Sequence, residues 1–256
     1  MNKQQLDQLF DLTGRVAIVT GGSRGIGRSI AEGFALAGAR VVIASRKPDK
    51  CDETVTAIEA AGGIALAVPT HMGELDQLEA LANKTLDHFG GIDILVNNAA
   101  NALAMPFAEM TPEAWEKSMN VNLRGPVFLT QYCLPGLEKS GRGSIINVSS
   151  AGAFLYSQFS HIYAAAKAAV LSYVRSNAAE FAASNIRVNA IAPGTVDTDM
   201  VRNNSPEQQE LMAQASLLRR AAHPDELIGL ALFLASDASS FVTGSTFHID
   251  GGLVPR

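Results

Sequence analysis

Long apolar runs are missing from this 256-residue chain. None approaches the roughly 20 residues that a membrane-crossing helix requires, so no membrane segment is expected. Residues 1–11 form a polar N-terminal extension without the apolar core of a secretory signal, and a cytoplasmic location is the expectation. Cysteine is scarce: Cys51 and Cys133 are far apart, and two idle thiols in a reducing compartment is the favoured reading, with a bridge left open. Charge is scarce too, at 18% Asp, Glu, Lys and Arg, with a net charge of −5 and scattered basic residues. That pattern excludes the basic face of a nucleic-acid binder. His161, His223 and His248 lack the spacing of metal ligands, and no metal is assigned. At the C-terminus, Leu253-Val254-Pro255-Arg256 matches a protease recognition sequence and reads equally well as native chain.

What is present is 47% hydrophobic residues arranged as strand-length runs alternating with helical stretches. Arg15–Thr20, Arg40–Ser45, Ile64–Pro69, Ile92–Asn97, Ser144–Ser149, Ile186–Ala192 and Ser245–Ile249 read as strands. Helical patterns occupy 25–37, 50–61, 74–89, 111–137, 161–183 and 224–235, with Gly38, Gly62 and Gly90 at the first three ends. Most of the strands are nearly continuous in Val and Ile, as in parallel sheets covered on both faces. The expectation is an α/β fold: one domain over 1–256, a doubly wound parallel sheet of about seven strands with helices on both faces.

Chemistry concentrates at four places. Thr20-Gly21-Gly22-Ser23-Arg24-Gly25-Ile26-Gly27 follows the first strand and opens a helix. Small residues there let backbone N–H groups approach a pyrophosphate at the positive helix end; the alternative is a glycine-rich turn that binds nothing. The second strand ends in Ser45-Arg46, where NAD-preferring folds usually carry an acid. With Arg24 in reach, a hydroxyl and two guanidiniums suit a 2′-phosphate; the alternative is arginines that merely face solvent. Asn97-Asn98-Ala99-Ala100 ends the fourth strand, where Asn side chains can cross-link loops or simply end a strand. Finally, Tyr163 and Lys167 stand four residues apart on one helix face, with Ser150 thirteen residues before the Tyr. Asn122 interrupts the helical stretch before them as a poor helix former, or is an ordinary surface Asn. Phe154, Tyr156, Phe159 and Met200 are candidate walls of an apolar pocket, or packing residues. Arg219-Arg220 reads as solvent-facing or as facing a neighbouring chain.

Taken together, these residues resemble the short-chain dehydrogenase/reductase family from about Leu12 to Gly252, with Pro193-Gly194, Thr198 and Asp250-Gly251-Gly252 as further matches. The resemblance implies a Rossmann-like fold, a catalytic tetrad of Asn122, Ser150, Tyr163 and Lys167, and a homotetramer. It implies that Pro193, Gly194, Val196 and Thr198 hold a nicotinamide end and that 195–220 forms a substrate loop. Two departures stand out: Ala100 replaces the family's usual Gly, and Thr70-His71-Met72 stands where an Asp often contacts adenine. Both look similar to NADP-dependent carbonyl reductases.

The implied activity is hydride transfer between NADP(H), with NAD(H) possible, and a small ketone, aldehyde or secondary alcohol, Tyr163 moving the proton. An NAD-linked alcohol, sugar or hydroxysteroid dehydrogenase and a non-catalytic dinucleotide sensor are the alternatives. Lowering a Tyr from pH 10 to near 7 requires about 4 kcal/mol. A Lys167 ammonium about 4 Å away supplies about that much at an effective dielectric near 20, with desolvation of the phenolate working against it and the positive nicotinamide of the oxidised coenzyme working with it. The Asn122 carbonyl is expected to hold a water linking Lys167 to solvent.

Overall fold

The computed structural model describes residues 2–156 and 158–254, leaving Pro255 and Arg256 of the C-terminal motif outside. The 1–11 extension carries a short helix, α1 (Lys3–Gln8), opened by a capping box between Asn2 and Gln5. From there strands and helices alternate: β1 (Val16–Thr20), α2 (Gly25–Leu36), β2 (Arg40–Ser45), α3 (Pro48–Ala60), β3 (Ile64–Pro69), α4 (Leu75–Phe89) and β4 (Ile94–Asn97). The second half continues with α5 (Pro112–Met119), α6 (Gly125–Ser140), β5 (Ser144–Val148), α7 (His161–Phe181) and β6 (Arg187–Pro193). Two short helices follow, α8 (Asp199–Arg202) and α9 (Pro206–Gln214), then α10 (Ile228–Ala235) behind a 3-10 turn at Pro224–Leu227, and β7 (Thr246–Ile249).

All seven strands join one parallel sheet in the order β3-β2-β1-β4-β5-β6-β7. The chain reverses its direction of travel between β1 and β4, and such a switch point opens a crevice at the carboxyl ends of the strands. Alternate residues feed two cores. Ile18, Leu95, Ile145 and Val188 pack on one face beneath α4, α6 and α7. Ala17, Val19, Ile94, Val96 and Ile146 pack on the other beneath α2 and α10. The central strands are buried throughout, whereas the edge strands β3 and β7 are largely half-exposed. Cys133 lies in the first core and Cys51 in the second; both are free thiols, so the bridge is ruled out. No helix among the described residues is long and apolar enough to cross a membrane.

Gly38, Gly62 and Gly90 take φ of 95°, 83° and 80°, the left-handed turn expected after their helices. Two expectations need correction. The single helix over 111–137 is two helices, α5 and α6, joined by one π turn over Asn120–Arg124. Gly125-Pro126 explains the break: Pro126 has no N–H to give the carbonyl four residues back, which is that of Asn122. Gly125 also sits so close to the Met72 carbonyl that any Cβ would collide with it. The 195–220 segment is no plain loop, since it holds α8 and α9, the latter opened by a Ser205–Gln208 capping box.

Candidate active site

At the switch point the glycine turn and the end of β4 are tied together. The Asn98 side-chain amide donates to the Thr20 carbonyl at 2.8 Å, and the N–H groups of Asn98 and Ala99 donate to Thr20 Oγ1 at 2.9 and 3.1 Å. The cross-linking role read for Asn98 is what the structure shows. Gly27 lies against this tie, and a Cβ there would collide with the Gly21 carbonyl and the Asn98 amide. Gly25 has a positive φ of 52°, and a Cβ on it would come within 2.9 Å of the Thr198 methyl. Thus the segment after β6 is brought against the glycine turn. α2 starts at Gly25 with no side chain capping it, which leaves the first-turn N–H groups of Gly25, Ile26 and Gly27 available to an anion.

Ser23 reaches the end of β2 and donates to Ser45 Oγ at 2.8 Å, with exposed Arg46 alongside in sequence. Arg24 does not stand free beside them: its Nη1 pairs with Asp199 of α8 at 2.8 Å. His71 is also committed. Its Nδ1 accepts the Gly73 N–H at 3.0 Å and its ring is about a third exposed, while Met72 is buried beneath Gly125. Pro193 closes β6, Gly194 donates to the Ile249 carbonyl at 3.2 Å, and Val196 forms a parallel bridge to Ala222. Ala100 is half-buried on the loop between β4 and α5.

Two strands away, β5 delivers Ser150 and α7 delivers Tyr163 and Lys167. Ser150 opens a 3-10 turn and its Oγ accepts the Gly152 N–H at 3.0 Å. Lys167 is 3% exposed, and its Nζ donates to the Val148 carbonyl at 2.7 Å and lies 5.7 Å from the centre of the Tyr163 ring. Desolvation pulls this ammonium down to about 8. For Tyr163, burial drives the phenol above its ordinary value, partly opposed by a hydrogen bond with Ser150. The acidified phenol expected from Lys167 is therefore not what the protein without coenzyme produces, because desolvation on burial outweighs the one opposing contribution, the hydrogen bond with Ser150. A phenol of this kind is protonated at neutral pH and able to donate.

Asn122 is fully buried, not a surface Asn. Its side chain accepts the Asn101 N–H at 3.0 Å and donates to the Asn101 carbonyl, the Asn101 Oδ1 and Ser118 Oγ at 2.9, 2.8 and 3.0 Å. Its side chain is spent on Asn101 of the loop after β4 and on Ser118 of α5, and none of these bonds reaches Lys167. The candidate walls Phe154, Tyr156, Phe159 and Met200 are all exposed, and the Phe154 ring also lies 4.5 Å from that of His248 in a tilted contact.

A family model described as Enoyl-(Acyl carrier protein) reductase matches residues 21–254. The chain belongs to the short-chain dehydrogenase/reductase family. It is 36% identical over 248 residues to human Dehydrogenase/reductase SDR family member 4, covering 96% of this chain and 89% of the human protein. A 3-oxoacyl-[acyl-carrier-protein] reductase of Synechocystis is 37% identical over 245 residues, covering 95% and 98% of the two chains. Among solved structures, a 3-oxoacyl (acyl-carrier-protein) reductase of Agrobacterium tumefaciens C58 with NADP bound superposes with a TM-score of 0.92. That pair is 35% identical, with 98% of this chain and 100% of the other covered. A short-chain dehydrogenase/reductase is an oxidoreductase that uses a nicotinamide dinucleotide, and this chain has the family's parallel seven-stranded sheet.

Three residues of this short-chain dehydrogenase/reductase site escaped the sequence reading. Asn101 carries no motif of its own, although Gly125-Pro126 signals the break that turns Asn122 toward it. Asp199 stands 175 positions from Arg24, and no local pattern links them. Glu226 pairs bidentately with Arg220, 2.7 Å on each arm, so Arg220 is not simply solvent-facing.

Proposed function

We propose that this enzyme reduces small ketones or aldehydes with NADPH and runs in reverse on secondary alcohols, with Tyr163 as the proton donor. The observation that carries the reading is the Tyr163–Lys167 pair on α7, the phenol kept protonated by burial and the ammonium held over its ring. A protonated phenol is the state that carbonyl reduction needs.

The donor set fits a dinucleotide. The uncapped N-terminus of α2 suits a pyrophosphate, and the Ser23–Ser45 pair, with Arg46 next in sequence and Arg24 recruited from Asp199, suits a ribose carrying a 2′-phosphate. The NADP-bound bacterial relative supports the same choice of coenzyme. When bound, the nicotinamide supplies the hydride. Pro193, Gly194, Val196 and Thr198 would hold its ring end; Asn98, Ala99 and Ala100 would line the crevice between the two halves.

The chain's own residues then divide the proton work. Ser150 directs its hydroxyl at the substrate oxygen and stabilises charge developing there. Tyr163 gives its proton to that oxygen. Lys167, charged below about pH 8, stabilises the resulting phenolate. The phenolate regains its proton from Lys167, which is recharged in turn from solvent through a water bound at the Asn122 carbonyl, a group deprived of its α-helical donor by Pro126. His71, its Nδ1 taken by the Gly73 N–H, keeps a partly exposed ring able to lie against the adenine end. Two of the three arginines in the 195–220 segment are engaged by acids: Arg202 with Asp197 and Arg220 with Glu226. Their neutralisation favours a small uncharged substrate over an acidic carrier protein. A single-domain enzyme assembled as a homotetramer in the cytoplasm completes the proposal.

The test is a panel of ketones, aldehydes and secondary alcohols assayed with all four coenzyme forms by nicotinamide absorbance. Turnover with NADPH well above NADH is expected. Preference for NADH would move the assignment to an NAD-linked dehydrogenase, and dinucleotide binding without turnover of any compound would remove the catalytic reading.

A further inference from the structure

We infer that Asp199 is a specificity-determining residue for the coenzyme, acting by occupying the glycine-turn arginine that the 2′-phosphate must recruit. The inference rests on the NADPH reading above and adds to it a residue that never touches the phosphate.

Arg24 is the extended residue immediately before α2, and its guanidinium is turned away from the Ser23–Ser45 pair, onto α8. The pair with Asp199 measures 2.8 Å, with the two side chains 68% and 47% exposed. Contact between the segments is not owed to this ion pair alone, because the Thr198 methyl already packs against Gly25 next door. Arg24 is therefore free to leave without undoing the packing. Asp199 would not be stranded either. Arg202 lies close enough for its own charge to feel Asp199, and it is anchored on Asp197 at 2.7 and 2.9 Å. Aspartates 197 and 199 and arginines 24 and 202 thus form an alternating chain whose terminal arginine can be lent out at little cost.

A doubly charged 2′-phosphate is a stronger partner for a guanidinium than one exposed carboxylate. Arg24 should move from Asp199 to the phosphate when NADPH binds and stay in place when NADH binds. Asp199 then acts as a standing competitor: it lowers affinity for NADPH and is invisible to NADH. An exposed ion pair contributes little, so the competition amounts to about two- to fivefold in dissociation constant.

Titrating NADPH and NADH fluorescence against wild type, Asp199→Asn, Arg24→Gln and the double variant tests this. Asp199→Asn should tighten NADPH about two- to fivefold, leave NADH unchanged, and do nothing further once Arg24 is Gln. Equal changes for both coenzymes would mark Asp199 as structural and overturn the inference. So would no change, or a tightening that persists without Arg24, which would be direct repulsion. If Arg24→Gln and Arg46→Asp both leave NADPH binding at its wild-type strength, the 2′-phosphate reading fails and takes this inference with it. If those two weaken NADPH and Asp199→Asn has no effect, only the inference falls.

Discussion

Two cations are buried at opposite ends of this sheet, and the protein treats them differently. Arg15, just before β1 at the amino end, is 2% exposed and pairs with Asp237 at 2.6 Å while donating to the Ala235 carbonyl at 3.0 Å. Arg187, entering β6 beside it, donates to Ser239 and to the Ser236 carbonyl, and burial with the neighbouring Arg15 charge lowers it to about 10. Lys167, at the carboxyl end, is as deeply buried but has one carbonyl and no carboxylate among the described residues. A charge buried with a counter-ion ties β1 and β6 to the turn after α10. A charge buried without one is held at a cost in stability and kept available for chemistry.

The sharpest break of that contrast is at the phenol above Lys167. Tyr163→Phe should cut turnover about 10²–10⁴-fold with coenzyme binding intact, measured by steady-state rates and by NADPH titration. Lys167→Met should be nearly as inactive, yet melt no lower than wild type. Relief of a shift from 10.5 to about 8 corresponds to at most about 3 kcal/mol, reduced by about 1 kcal/mol for the lost bond to Val148. Arg15→Met should do the reverse, losing about 1–3 kcal/mol of stability in urea melts while retaining activity. If the two methionine variants behave alike, the distinction between the ends is wrong.

pH sharpens the same contrast. Because the folded-state value of Lys167 lies below the unfolded one, the unfolded chain binds more protons between about pH 8 and 10.5. This group's contribution to stability therefore rises with pH across that window, and Lys167→Met should remove the rise. In the reductive direction kcat/KM should fall as pH passes about 8 and Lys167 loses its charge. The smallest effect is expected at the surface: Arg46→Asp should weaken NADPH several-fold and improve relative use of NADH, read from dissociation constants.

Most of the strands were legible because a parallel sheet covered on both faces demands nearly unbroken Val and Ile, and their ends fall within two residues of expectation. The helix over 111–137 was overrun because apolar periodicity continues through Gly125-Pro126, and the cost of that proline is seen only in the π turn at Asn122. α8 and α9 were overlooked because they are short, exposed and weakly patterned. The balance at Tyr163 without coenzyme is not legible for a related reason: spacing on a helix indicates that Lys167 is near, but not how much water each group loses.

The residues alone determined the alternation that builds the sheet, the glycine turn at its switch point, and the placing of Tyr163 and Lys167 on one helical face. Each depends on neighbours within a few positions, where backbone geometry and periodicity suffice. Only the tertiary structure decided that Arg24 answers to Asp199, that Asn122 answers to Asn101, and that Tyr163 is a weaker acid than free tyrosine. Those outcomes depend on which distant side chains meet and on how much solvent they exclude, and both are set only when the strands and their connecting segments assemble.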